Sequence, residues 1–188
     1  MEVYRVGVKF FIADPQSLSL RDLVPVFHTW IQKQSIPGHL LIDVHDYSHI
    51  QGGPGILLVG HEGNFSLDMD GGKPGLLYYR KQPLNGAVTR GFMPILAAAL
   101  EGCRQLEVEP GIRFRTDDFI VVSNDRLNAP NDAGTLAKFE PLLREAVQRL
   151  TPGAYCKFTP IAATSKERFS VRVDTGQSAG VKELYNRL

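Results

Sequence analysis

Cysteine is scarce in this chain, net charge is close to nil, and no long apolar run interrupts it. Cys103 and Cys156 lie 53 positions apart and neither belongs to a Cys-x-x-Cys pair, which removes zinc-ribbon and dithiol redox chemistry. Both are expected to be reduced core residues, because free cysteine packs as a small hydrophobe. No neighbouring histidine marks either as a catalytic thiol. The formal net charge is +1, too little for a general nucleic-acid binder, since neutralising phosphates takes clustered lysine and arginine. No apolar stretch approaches the roughly 20 residues that a membrane-crossing helix needs. The opening Met1-Glu2-Val3-Tyr4-Arg5 moves straight into alternation and lacks the basic-then-apolar layout of a signal peptide. The expectation is a cytoplasmic protein with no nucleic-acid and no membrane partner. Missing too is the zinc helix H-E-x-x-H.

What is present is an ordinary globular composition, 43% hydrophobic and 22% charged over 188 residues. That length fits a single domain, 1–188, with two halves, 1–108 and 109–188, sharing one core. The stretch from Leu40 to Lys81 organises the rest. It holds three apolar runs, Leu40–Val44, Ile56–Val59 and Leu76–Tyr79, separated by Gly52-Gly53-Pro54-Gly55 and Gly71-Gly72-Lys73-Pro74-Gly75. Asn64–Met69 reads as an extension of one of them.

Around this middle, period-two alternation predicts a strand over Val3–Ile12. Leu23, Val26, Phe27, Trp30 and Ile31 make one helical stripe, capped by Ser19 or Asp22 and stopped at Pro37-Gly38. Pro83-Leu84-Asn85-Gly86 reads as a turn before a second helix, from about Arg90 to Glu107. Ile112–Val122 is a strand, or a hairpin folded at Thr116-Asp117-Asp118. A third helix uses Leu136, Phe139, Leu143, Ala146, Val147 and Leu150. Strands over Ala154–Thr159 and Arg168–Val173 follow, and a short helical tail closes the chain.

Two segments echo each other. Ser19-Leu20-Arg21-Asp22-Leu23-Val24-Pro25 and Thr135-Leu136-Ala137-Lys138-Phe139-Glu140-Pro141 share a frame, and each helix runs into Pro-Gly and a strand. A β-α-β-β unit leaves a sheet face and a helix stripe uncovered, and a second unit covers them. The expected fold class is therefore α+β, a mostly antiparallel sheet with about three helices on one face, built from two related β-α-β-β units. Tandem units of this kind occur in some small-molecule-binding modules, which is an analogy of fold.

Three kinds of chemistry suggest themselves. A metal site would draw on His45, His49 and His61. His45 and His49 approach one another in a helical turn, but stand about 13 Å apart in a strand at roughly 3.3 Å per residue. Anion binding suits Arg80 with Lys81 and Arg90, because guanidinium offers a bidentate fork; His49, Arg80 and Arg126 are the candidate ligand-binding residues. The glycine-rich segments precede no helix and read as turns rather than phosphate cradles. Acid–base catalysis would use His61 and Glu62, flanked by Gly60 and Gly63. Charge is also uneven. Residues 39–70 carry five carboxylates and no lysine or arginine, whereas 71–104 carry five cations against Glu101, the pattern of mutually attracting faces or of a polarised cleft.

Asp46-Tyr47-Ser48-His49, Gly53-Pro54-Gly55, Gly60-His61-Glu62-Gly63 and Pro74-Gly75-Leu76-Leu77-Tyr78 together resemble an uncharacterised family of bacterial proteins of about this length. The resemblance implies a bacterial-type cytoplasmic protein and brings no activity, cofactor or catalytic residue. The leading expectation is a small-molecule-binding or regulatory module with a pocket near 40–81, recognisable as an enclosed apolar pocket without convergent titratable groups. The alternative is an enzyme, a metal-assisted hydrolase using His49, His61 and Glu62, recognisable by those side chains meeting within about 5 Å of one point. A third is a structural or assembly subunit, a homo-oligomer formed through exposed strand edges.

Overall fold

A lysine sits in the middle of the most deeply covered strand. β1 (Val6–Ile12) is buried at every position. Its alternate residues Val6, Val8 and Phe10 enter the main apolar core, while Phe11 joins a smaller cluster on the opposite face. That is the behaviour of a strand covered on both sides. The computed structural model describes residues 5–15, 19–69, 72–82, 88–108, 112–161, 164 and 166–188, with backbone alone at 88–90. The start of the first strand at 3–4, the turn at 83–86 and the Arg90 side chain lie outside the described residues.

After β1, a 3₁₀ turn (Leu20–Leu23) leads into α1 (Val24–Lys33), with Pro25 in its first turn, where the missing N–H costs no helical bond. The helix stops at Gln34, whose φ of 47° is left-handed, so it ends before Pro37-Gly38 is reached. β2 (Leu41–Tyr47), β3 (Gly55–Gly60), β4 (Gly63–Asp68) and β5 (Gly75–Arg80) form a meander. Residues 64–68 are thus part of a strand of their own, separated from β3 by His61-Glu62. α2 (Val88–Leu106) and β6 (Phe114–Ser123) follow. β6 is one strand and not a hairpin. At Thr116-Asp117-Asp118 it bulges, and its register on β1 slips between Phe10↔Phe119 and Ile12↔Phe114.

α3 (Ala133–Leu150), β7 (Lys157–Pro160), β8 (Phe169–Asp174) and α4 (Val181–Asn186) complete the chain. Asp132 caps α3 by accepting from the Thr135 N–H at 2.7 Å. All neighbouring strands are antiparallel, in the order β2-β3-β4-β5-β1-β6-β8-β7. The fold is α+β, with four α-helices among the described residues where about three were expected.

The β-α-β-β order recurs as β1-α1-β2-β3 and β6-α3-β7-β8. In each case the helix carries the chain to an outer edge, β2 on one side and β7 on the other, and a meander returns inward. The meanders differ in length. Two strands bring the second back to β6, whereas the first needs four to reach β1.

All four helices pack on one face. Phe27 and Trp30 of α1, Phe92, Leu96 and Leu100 of α2, Phe139 and Leu143 of α3, and Leu184 of α4 join one buried cluster with Phe65, Tyr78, Phe119 and Val171 of the strands. The cluster draws on both halves. Burying each large side chain contributes about 1.5–3 kcal/mol. No helix among the described residues is long and apolar enough to cross a membrane.

Candidate functional site

Among the described residues, the other face of the sheet carries no helix. Strand register sets His45, Leu57, Ser66, Leu77, Lys9, Ile120, Arg172 and Thr159 in one row across all eight strands. Its middle is apolar: Phe11, Leu77, Ile120 and Val122 form a small buried cluster with Tyr79 against it. Charges are set into this patch. Lys9 is 1% exposed, and its ammonium donates to Asp68 Oδ1 at 2.6 Å, to the Asp68 carbonyl at 3.2 Å and to the Lys73 carbonyl at 2.9 Å.

Gly75 makes this geometry possible. A Cβ there would stand 2.7 Å from Lys9 Cε and 2.4 Å from the Phe10 carbonyl oxygen. Burial pushes Lys9 below and Asp68 above their ordinary values, while their mutual attraction and hydrogen bond oppose it. The Arg168 guanidinium is also held down by burial and is drawn to Asp68. Farther along the same face Asp118, again almost fully buried, pairs with Arg115 at 3.1 Å and with Arg172.

Loops wall this patch into a cavity of about 670 Å³. Gly52-Gly53-Pro54 closes one side, Asn124 and Arg126 another, and Ile161, Lys166, Glu167 and Arg168 from the β7–β8 connection a third. Its floor is Leu57, Asn64, Ser66, Asp68, Leu77, Tyr79 and Ser170. The Tyr79 hydroxyl is sealed in the wall without a hydrogen bond among the described residues, and burial raises its pKa while the nearby Asn124 backbone N–H opposes that. The cavity opens to solvent and is lined with charge, so it is not the enclosed apolar pocket that marked a binding module in the sequence.

The candidate residues are scattered. Arg126 lies in the cavity wall. His49 is exposed in the β2–β3 connection. Arg80 faces the helices, beside Glu62 in a separate, smaller cavity. His45 stands on the open side of the edge strand, 3.5 Å from Asp43.

The metal set His45, His49 and His61 is not assembled. His49 and His61 sit beyond opposite ends of β3, whose six residues separate them by about 20 Å at 3.3 Å per residue. No group of three His, Cys, Asp or Glu among the described residues is placed to hold an ion. The catalytic set His49, His61 and Glu62 is divided by the same strand. His61 and Glu62 themselves form the β3–β4 turn, where the Leu40 N–H donates to Glu62 Oε2 at 2.8 Å and the Leu40 carbonyl accepts from the His61 N–H at 2.8 Å. Burial would raise Glu62, but the Leu40 N–H, its own N–H, and His39 and His61 outweigh it and hold the carboxyl low. Cys103 and Cys156 are free and buried, and burial raises both thiols.

Lys9, Asp68, Arg168 and Tyr79 went unnoticed in the sequence. Lys9 did carry a signal: a lysine inside Val6-Gly7-Val8-Lys9-Phe10-Phe11-Ile12 needs a buried partner if the strand is central. Comparison with family models, curated proteins and solved structures returned no match.

Proposed function

We propose that the chain is a binding or regulatory module that takes a small anionic molecule on the helix-free face of its sheet. One observation carries this reading. Arg126, Lys166 and Arg168 border the cavity against Glu167, and the other carboxylate, Asp68, is bonded to Lys9. Guanidinium and ammonium groups over a partly dry floor favour a carboxylate or phosphate. Asn64, Ser66 and Ser170 supply neutral polar contacts, and Leu57, Leu77 and Ile161 offer apolar surface to the rest of the ligand. Among the described residues the buried thiols and the divided histidines do not combine into a nucleophile–base pair, and binding is the role proposed.

Calorimetric titration with citrate and with inorganic phosphate tests it. Saturable binding is expected, weakening with added salt and falling about tenfold or more in the Arg126→Gln/Lys166→Gln double variant. Absence of saturable binding for both anions, or binding indifferent to the double substitution, would overturn the proposal.

A further inference from the structure

A second cavity, of about 390 Å³, lies on the helix side of the sheet where the α1–β2 turn meets β5 and α2. We propose that it is a binding site for a small monocarboxylate that also carries a hydroxyl, with Arg80 holding the carboxylate and Tyr78 accepting from the hydroxyl. The proposal does not rest on the open-face cavity, which is lined by other residues.

His39 sets the polarity of Tyr78. Its Nδ1 lies 3.1 Å from the Pro37 carbonyl, and its Nε2 lies 2.7 Å from the Tyr78 hydroxyl. A carbonyl oxygen accepts and never donates, so in the neutral ring the proton sits on Nδ1. Nε2 is then bare, and the phenol donates its proton to it. A phenol oxygen that donates its proton in a hydrogen bond can still accept through its lone pairs. Ring contacts fix the arrangement, with His39 edge-on to Tyr78 at 5.2 Å and Phe65 against Tyr78 at 4.8 Å. Gly63 keeps the hydroxyl in place from behind, since a Cβ there would stand 2.6 Å from it.

Arg80 is two residues along the strand from Tyr78, on the same side of the sheet. Its guanidinium makes no hydrogen bond or ion pair among the described residues, and its Nε is buried without a partner. A planar donor fork held in a cavity wall without an acceptor is what a carboxylate completes. The carboxylates around it are committed elsewhere. Glu62 accepts from the Leu40 N–H, and Glu101 is bonded by Arg104 at 2.7 and 2.8 Å and by Gln105 at 2.7 Å. With Glu101 paired to Arg104, Arg80 faces Glu62 alone among the described carboxylates of the cavity, which leaves no surplus positive charge for a phosphate dianion and favours a single carboxylate. Ile36, Pro94, Ala97 and Ala98 give the carbon skeleton an apolar wall.

The test is calorimetric titration of the full chain with 4-hydroxybenzoate and lactate, against benzoate, propionate and 4-hydroxybenzamide. At least one hydroxy acid is expected to bind about tenfold or more tightly than its counterpart lacking the hydroxyl, and 4-hydroxybenzamide not at all. Arg80→Gln should abolish the hydroxyl-selective binding, Tyr78→Phe should erase the preference for the hydroxyl, and Arg149→Gln, exposed on α3, should leave both unchanged. Should Arg80→Gln melt early, Tyr78→Phe still gives the decisive reading. No binding of either hydroxy acid, or a preference unaltered in Tyr78→Phe, would overturn the proposal.

Discussion

One sheet presents two unlike faces, and β1 supplies both. Toward the helices Val8 and Phe10 enter a continuous apolar core; away from them Lys9 and Phe11 enter a thin layer where ions are buried among a few apolar groups. The helix face is held by area removed from water, which is non-directional and forgiving of small displacements. The open face is held by directed bonds whose loss strands a charge. The difference assigns stability chiefly to the first face and specificity to the second.

The widest separation should come from truncating a core ring and from breaking the ion pair. Phe65→Ala, fully buried against Trp30 and Tyr78, is expected to cost about 3–5 kcal/mol in urea unfolding. Lys9→Met should cost about 3–5 kcal/mol by removing the buried ammonium that bonds Asp68 Oδ1. The double variant Lys9→Met/Asp68→Leu should recover most of that loss. A double variant as unstable as the single would place the open face in the same class as the core.

Tyr78 and Tyr79 sharpen the comparison, being adjacent and pointing to opposite faces. Burial pushes the Tyr78 phenol to about 12 from 10.0. A raised phenol pKa means that the folded state keeps a proton that the unfolded state releases. The stabilisation is therefore complete below pH 10 and is lost as pH rises from 10 toward about 12. Unfolding midpoints across that window, alongside tyrosinate absorbance, check the sign, and a midpoint that rises above pH 10 would contradict it.

Hydroxyl removal separates the two more finely. Tyr78→Phe should destabilise by about 1 kcal/mol, whereas Tyr79→Phe should be neutral or stabilising, because its hydroxyl is buried without a hydrogen bond among the described residues. The smallest effect is expected at Asp132→Ala. The Thr135 N–H holds that carboxyl low, so the cap stabilises α3 above the ordinary carboxylate range and fades as pH falls through the lowered value. The loss in the variant should vanish in acid.

Periodicity made the strands and helix stripes legible, and the frame shared by Ser19–Pro25 and Thr135–Pro141 marked two corresponding helices. Yet that frame does not fold identically twice. In the first copy it spans a 3₁₀ turn and puts Pro25 at the start of α1; in the second Pro141 lies inside α3. Local sequence specifies a helix, and packing decides where its first turn lies.

The site was less legible because it depends on strand order. Lys9 and Asp68 are 59 residues apart and meet because β5, lying between their strands, carries a glycine at 75. His49 and His61 looked close in sequence, but a single hairpin strand sends them to opposite ends. Such facts belong to topology, which composition and period do not encode.

Gly63 and Gly75 share an unusual reason for being glycine. Neither has a left-handed backbone; each is bare because a neighbour's side chain fills the volume that its own first carbon would take. An alanine at either position would push on Tyr78 or Lys9 from the rear, disturbing a pocket it never lines. A single-methyl insertion at Gly63 or Gly75 would thus act from the strands behind the ligand groups, out of any ligand's sight.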